Sequence, residues 1–260
     1  MHEDVTAAAP SPLRVKRTEA ILRVTLDRPD RANSLDSDIV ARFLALFDDT
    51  AHIADIRALV IAGSGDNFCG GFDLSNIESQ DEAALVLRFL RIETLLQRLY
   101  HAPFATIACA HGNAIGAGAD IFAACAYRIA EAGTRFRMPG WQFGIALGTR
   151  RLADRVGAAR AHDMLGANRT LAGPEALACG LATHVAERSR WPSIIAEIVA
   201  TIRPLPADAR EALRALTIDD HRDADMAALV RSALHGPGLK ERIVAYVRAG
   251  RERRHEAAEE

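Results

Sequence analysis

Two glycine-rich junctions, GSGDNFCGGFDL at residues 63–74 and HGNAIGAGADI at residues 111–121, constrain this chain most strongly. Each follows a short apolar run, at residues 58–62 and 104–110, that is typical of a strand buried on both faces. The sequence therefore predicts two strand–turn–helix units. Small residues in such turns let a ligand approach main-chain N–H groups, and the start of a helix favours negative charge.

Neither junction matches a nucleotide-binding motif. The dinucleotide fingerprint GxGxxG and the phosphate loop GxxxxGK[ST] are both absent, as is the GxSxG turn of serine hydrolases. Glycines that only permit tight turns would explain either junction taken alone. The sequence thus disfavours dinucleotide, ATP and serine-hydrolase sites and leaves the role of each turn open.

The remaining pattern alternates between strands and helices in the first half of the chain. We expect a strand over Ile21–Leu26, a helix capped by Asp36 or Ser37, and a longer helix that opens at Asp81. After Thr149 the pattern is helical almost throughout. The sequence predicts an α/β fold with a disordered lead at 1–11, a core at 12–203 and a helical region of the same fold at 204–260. The charged tail from residue 251 is expected to be a frayed helix end or disordered.

Charge and cysteine usage exclude several classes of partner. Lys and Arg number 32 against 34 Asp and Glu, a net charge of −2, so no basic face for nucleic acid is indicated. No apolar run approaches the ~20 residues that cross a bilayer, and the first residues lack a secretory pattern, so we expect no membrane association and a cytoplasmic location. The four cysteines lack metal-ligand spacing, and no metal site is predicted.

Four segments in chain order resemble the crotonase, or enoyl-CoA hydratase/isomerase, superfamily. LDRPDRANSLDSDI is similar to the family's N-R-P-x-x-x-N-A-L, and FCGGFDL to its F-x-x-G-A-D-L. GNAIGAGADI is similar to G-x-A-x-G-G-G-x-E-L, and NRTLAGPEALACGLATHV to a segment ending E-A-L-x-x-G-L-V-x-x-V. The resemblance covers residues 21–251. It implies a spiral of ββα units and C-terminal helices that assemble a homotrimer or a dimer of trimers.

The resemblance assigns the chemistry of the two junctions to backbone groups. In the family, two backbone N–H groups bind the thioester oxygen of an acyl-CoA, and the matching residues are Phe72 and Ala117. Coenzyme A then enters as part of the substrate, with no further cofactor. The resemblance implies contacts to the ligand from a set spread over four segments: Arg31, Ala32, Ser34, Gly70, Asp73, Leu74, Asn113, Gly116, Gly118, Pro139, Gly140 and Trp141. Asp73 can instead order its own turn by accepting nearby N–H groups.

The chain departs from the family's hydratases at one of two acidic positions. Hydration uses two carboxylates that position water and move its proton. The first is matched by Asp120, whereas the second, in F-x-x-P-E, is replaced by Gly140 in FRMPGW. We therefore expect an enolate-forming enzyme that is not a two-glutamate hydratase, with Asp120 as its acid or base. An isomerase, a decarboxylase, a hydrolase and an acyl-CoA-binding scaffold without turnover all stay open.

Overall fold

The computed structural model describes residues 11–49, 55–202 and 204–259. The expected disordered lead at 1–11 lies outside these ranges except for Ser11. The first half contains strands β1 (Leu13–Thr18), β2 (Ile21–Leu26), β3 (Ala58–Gly63), β4 (Ala105–Ala110), β5 (Asn113–Ile115), β6 (Tyr127–Ala130) and β7 (Arg135–Arg137), with helices α1 (Ser37–Asp48), α2 (Glu82–Tyr100) and α3 (Ala117–Ala124).

The second half is mainly helical, as the pattern after Thr149 predicts. It contains helices α4 (Thr149–Val156), α5 (Ala158–Gly166), α6 (Gly173–Ala178), α7 (Trp191–Ile202), α8 (Ala207–Thr217), α9 (Arg222–Ala233) and α10 (Leu239–Glu259), with short strands β8 (Leu171–Ala172) and β9 (His184–Val185). The tail beyond residue 251 continues α10.

Two sheets form the core of the fold. The larger has the order β1-β2-β3-β4-β6-β9, parallel except for the antiparallel β1–β2 pair. The smaller has the order β5-β7-β8, and single-residue bridges Leu35–Phe72 and Cys69–Ala114 extend it. The segments that follow β2, β3, β4 and β6 each contribute to the second layer before the chain enters a helix. This arrangement confirms the predicted spiral of ββα units.

The larger sheet is buried on both faces over its central strands. Ala58 and Val60 pack with Ile107 and Ile129 against helix α7, while Leu59 and the other face belong to the main core. This two-sided burial explains why the runs at 58–62 and 104–110 are apolar without alternation. Parallel strands direct their carboxyl ends to one edge, so the two glycine-rich junctions meet there.

The last helix is attached to the core by a carboxylate. Glu82 accepts hydrogen bonds from the N–H groups of Leu239 and Lys240, the latter at 2.9 Å, and so caps the start of α10. This contact lets Tyr246 and Val247 of α10 reach the same cavity as the two junctions. No helix among the described residues is long and apolar enough to cross a membrane.

Candidate active site

The first junction leaves one backbone donor without a partner. Leu35 donates its N–H to the Gly71 carbonyl at 2.7 Å, and Asp73 donates to the Leu35 carbonyl at 3.1 Å. In such a parallel bridge the residue between them, Phe72, directs its own N–H away from Leu35. Within the described part of the chain this N–H finds no protein acceptor, and Phe72 lines a cavity of about 520 Å³.

The second junction supplies a second donor at the start of helix α3. Gly116 donates to the Arg137 carbonyl at 2.7 Å, which fixes the turn just before the helix. Ala117 opens α3, and the first N–H groups of a helix have no partner inside it. No acceptor for the Ala117 N–H occurs among residues 11–49, 55–202 and 204–259. Ala117 lines the same cavity as Phe72.

Gly71 brings the two donors together. Its φ is +89°, and a Cβ placed there would lie 2.4 Å from the Ile115 carbonyl oxygen and 3.3 Å from the Ala117 nitrogen. Only glycine permits this approach, because any side chain would push the turns apart. The two unpaired N–H groups therefore face one cavity from adjacent turns, which is the arrangement of an oxyanion hole.

Helix α2 holds the Phe72 side chain. The Phe72 ring stacks on Phe89 with centroids 4.2 Å apart and an interplanar angle of 5°. The Arg88 guanidinium lies 3.9 Å from the same ring centroid and donates to the Asp73 carbonyl at 2.8 Å. The first donor is thus fixed by ring stacking and by an arginine, neither of which the sequence analysis identified.

Asp120 is a buried carboxyl group in the wall of the cavity. It is 4% exposed, and its Oδ1 has no hydrogen-bond partner among the described residues. Burial raises the pKa of Asp120 well above its usual value; the Arg151 charge opposes this shift and the Glu93 charge adds to it. Its proton is therefore held to higher pH than that of an exposed aspartate.

Gly148 packs directly against the Asp120 carboxyl group. A Cβ at this position would lie 1.9 Å from Asp120 Oδ1, and Gly148 has a φ of +64°. The glycine opens α4, in the segment GIALGTRRL. Both its conformation and its contact exclude a side chain, so Gly148 sets the space that Asp120 occupies.

A buried ion network lies behind Asp120. Arg151 binds Glu93, and its Nη1 lies 3.2 Å from an oxygen of Asp225. Gln97 also donates to Glu93 at 2.9 Å. Because Arg151 already has two carboxylate partners, it does not form a salt bridge with Asp120. The network joins α2, α4 and α9 over sequence separations of 58 and 74 residues, which no local motif could reveal.

Gly140 stands at the position of the missing acid, and a Cβ there would lie 3.2 Å from the Ile145 carbonyl oxygen. Gly140 lines the cavity and its carbonyl accepts from the Ile145 N–H at 3.0 Å. Among the described residues Asp120 is the one carboxylate in the cavity wall. Trp141 lines the cavity while 44% exposed, and its indole N–H donates to Thr149 at 3.0 Å.

The structure brings together part of the predicted ligand-binding set. Gly70, Leu74, Gly116, Pro139, Gly140 and Trp141 line the cavity with Phe72, Ala117 and Asp120. The other predicted residues lie outside this wall, and their roles in ligand binding stay predictions: Arg31, Ala32, Ser34, Asp73, Asn113 and Gly118.

Several residues of the second group have contacts that support the turns. The Ala32 carbonyl accepts from the Gly70 N–H at 2.7 Å, and Asn113 donates to the Asn67 side chain at 2.7 Å. Asp73 accepts from the Ser75 N–H at 2.9 Å and from Arg28 at 3.1 Å. Burial raises the Asp73 pKa, but these bonds outweigh it and hold the pKa below its usual value.

Asn33 connects the RANSL segment to the first junction. It is fully buried, and its side-chain nitrogen donates to the Ser64 and Asn67 carbonyls at 2.8 and 2.7 Å. Its side-chain oxygen accepts from the Arg28 N–H at 2.9 Å. Sequence reasoning did not single out this residue, although its position in the first motif offered a signal.

Comparison with known proteins identifies the family to which this chain belongs. The enoyl-CoA hydratase/isomerase family model matches residues 16–235. A crystal structure described provisionally as an enoyl-CoA hydratase/isomerase, from Bordetella parapertussis, is similar with a TM-score of 0.88 and 42% identity, over 92% of this chain and 99% of that one.

Two curated relatives show that the similarity extends across different reactions. A probable enoyl-CoA hydratase of Bacillus subtilis (strain 168) is 31% identical over 175 residues, which is 65% of this chain and 66% of the relative. An ethylmalonyl-CoA decarboxylase of Xenopus laevis is 25% identical over 211 residues, 78% of this chain and 70% of the relative. With a family model that matches most of its length, the chain belongs to the enoyl-CoA hydratase/isomerase family of enzymes, in the crotonase superfamily.

Proposed function

We propose that this protein acts on an acyl-CoA thioester through an enolate stabilised by the Phe72 and Ala117 N–H groups. The observation that carries the proposal is the pair of unpaired backbone donors facing one cavity. Donors fixed before reaction stabilise charge as it develops on the thioester oxygen, and loss of one such donor costs roughly 3–4 kcal/mol in other enzymes. Coenzyme A enters as part of the substrate and needs no resident cofactor.

Asp120 is the group that moves the proton. Its ionised form removes a proton from the carbon next to the thioester, and the electrons move to the oxygen held by the two N–H groups. Its protonated form then returns the proton at another carbon, which shifts a double bond. Burial in the cavity wall, which raises its pKa, brings the two protonation states closer in energy at neutral pH.

Gly140 argues against hydration as the main reaction. Adding water across a double bond in this family needs a second carboxylate, and glycine has no group that positions or activates water. Decarboxylation is the second candidate, supported by the similarity to an ethylmalonyl-CoA decarboxylase. Loss of carbon dioxide from a malonyl-type thioester also forms an enolate, which protonated Asp120 would quench.

We also propose self-association through the C-terminal helices, as a homotrimer or a dimer of trimers. Leu213 and Leu216 of α8 are 54% and 86% exposed, and Leu234 after α9 is 70% exposed. Exposed leucines concentrated in one region of a chain support an interface.

An assay with matched CoA esters tests the proposed function. We expect isomerisation of a 3-enoyl-CoA or decarboxylation of ethylmalonyl-CoA to exceed hydration of crotonyl-CoA. Asp120→Asn should reduce the main reaction at least ~100-fold, because it removes the proton-transfer group. Asp38→Asn, at an exposed aspartate of α1, is the control and should retain activity. Dominant hydration, or ester binding without any turnover, would contradict the proposal.

The raised pKa of Asp120 predicts how its replacement changes stability with pH. The unfolded carboxyl ionises near pH 4, whereas the folded one keeps its proton to higher pH, so the native state binds more protons. The contribution of Asp120 to the free energy of unfolding therefore falls as pH rises from the unfolded pKa to the folded pKa. The unfolding free energy of Asp120→Asn, relative to the unchanged protein, should increase in urea titrations as pH rises above about 4, the pKa of the unfolded carboxyl. A difference that is constant or decreases with pH would show that the Asp120 pKa is not raised.

Alanine at Gly148 and alanine at Gly157 together distinguish the effect of backbone strain from the effect of contact with Asp120. Gly148→Ala should lose about 1–3 kcal/mol of stability and reduce turnover ~100-fold, because the methyl group displaces the carboxyl. Gly157→Ala is the comparison, since Gly157 has a φ of +82° with nothing within 4 Å of its Cβ position. It should lose stability but keep the specific activity of the folded enzyme. Equal activity in the two variants would exclude a role for Gly148 in placing Asp120.

A further inference from the structure

The cavity contains an arginine, Arg137, that no acidic side chain of the described residues neutralises. Arg137 ends strand β7 and lines the cavity, whereas the preceding Phe136 is buried in the core. Its Nε is buried without a hydrogen-bond partner, and its side chain forms no salt bridge with any residue of the described ranges. The Arg137 residue as a whole is half-buried, and a buried N–H group that lacks a partner has lost its hydrogen bond to water.

The other charged residues of the cavity wall do not balance the positive charge of Arg137. Asp120 is the one carboxylate among the described lining residues, and the charges that act on its pKa come from Arg151 and Glu93, not from Arg137. Arg253 of α10 adds a second cation to the wall. Two arginines and one carboxyl group give the described wall a positive net charge in either protonation state of Asp120, and such a wall attracts an anion.

A second polar side chain in the wall is also unsatisfied. Asn168 lines the cavity, and its buried Oδ1 has no partner among the described residues. Rotation of this amide by 180° would place its two N–H donors at the same point. Most of the remaining wall is apolar, including Ile145, Leu147 and Leu165. Polar groups left unpaired in an apolar cavity are commonly satisfied by the ligand.

The position of Arg137 relates it to the reacting end of the ligand. Its carbonyl accepts the Gly116 N–H at 2.7 Å, one residue before the donor Ala117. Met138, Pro139 and Gly140, which follow it directly, all line the cavity. The Arg137 side chain therefore belongs to the segment that carries Gly140, and this segment is hydrogen-bonded to the turn that presents the Ala117 N–H.

We propose that Arg137, assisted by Asn168, binds a carboxylate carried by the acyl group. The substrate class is then a CoA thioester of an acid with a second carboxylate, rather than of a simple fatty acid. A guanidinium offers parallel N–H groups that match a carboxylate, and water exclusion strengthens this pairing. The inference rests on the proposed function, since it concerns the acyl group of the same ligand. Phosphates of coenzyme A share this anionic chemistry, and the experiment separates the two sources.

Calorimetric titration with two esters of four acyl carbons tests the proposal. Succinyl-CoA carries a terminal carboxylate and butyryl-CoA a methyl group. We expect succinyl-CoA to bind roughly ten- to a hundredfold more tightly, the range for hydrogen bonds to charged groups. Arg137→Gln should abolish this preference and leave butyryl-CoA binding unchanged. Arg137→Lys, which keeps the charge but loses the paired donors, should retain part of it.

A neighbouring arginine provides the matched control. Arg135 lies two residues earlier on β7, is exposed and is outside the cavity wall, so Arg135→Gln should retain the full preference. Equal binding of the two esters by the unchanged protein would overturn the proposal. So would a preference that survives Arg137→Gln but is lost in Arg253→Gln.

Titration with coenzyme A that carries no acyl group tests the alternative that Arg137 binds a phosphate of coenzyme A. If Arg137→Gln weakens coenzyme A and both esters by the same factor, the arginine binds a phosphate and the proposal is wrong. If none of the three ligands binds the unchanged protein, the proposed acyl-CoA function itself fails. These results differ from a loss of the carboxylate preference alone, so the two failures are distinguishable.

Discussion

The close approach of the two glycine-rich turns at Gly71 is the contact on which the site depends. The parallel strands β3 and β4 end at one edge of the sheet, which brings the two turns into the same region. A side chain at the contact point would still hold the two backbones apart. Without a Cβ at Gly71, the backbone of the first turn reaches the Ile115 carbonyl and the Ala117 nitrogen. Asn33 holds the first turn from its other side through the Ser64 and Asn67 carbonyls. The site is therefore formed by backbone groups that tertiary contacts fix in place.

Electrostatics in the cavity follow from burial rather than from net charge. The chain as a whole has a charge of −2, yet the described cavity wall holds two arginines and one carboxyl whose pKa is raised. Arg151 does not neutralise Asp120, because Glu93 and Asp225 bind it. Desolvation of Asp120 and the unpaired state of Arg137 thus coexist in one apolar space. The desolvated Asp120 suits proton transfer, and the unpaired Arg137 suits an anionic acyl group.

The sequence predicted those parts of the fold that local pattern controls. Apolar runs and glycines identified both junctions, and Asp81 was correctly expected to begin a helix, where its side chain accepts from the Ala84 N–H. Strand β1 was missed because it is an edge strand in which only Leu13 is buried. Helix α9 lies within the region 204–260 that was expected to be helical, but its bounds were not predicted because the partly polar sequence of Arg222–Ala233 gives a weak apolar period.

The parts of the candidate site that could not be predicted depend on contacts distant in sequence. The contact of Gly148 with Asp120, and the Arg151–Glu93 pair, join segments that no motif relates. The unpaired state of Arg137 is a property of its surroundings and has no sequence pattern. Family resemblance located Asp120 and Gly140, but it did not reveal the contacts around them.

A crystal structure with butyryl-CoA bound would test the central claim most directly, because this saturated ester cannot isomerise. The account predicts that the thioester oxygen lies about 2.7–3.1 Å from both the Phe72 and the Ala117 nitrogen. A thioester oxygen bound to neither nitrogen, with the acyl group outside the cavity, would contradict it.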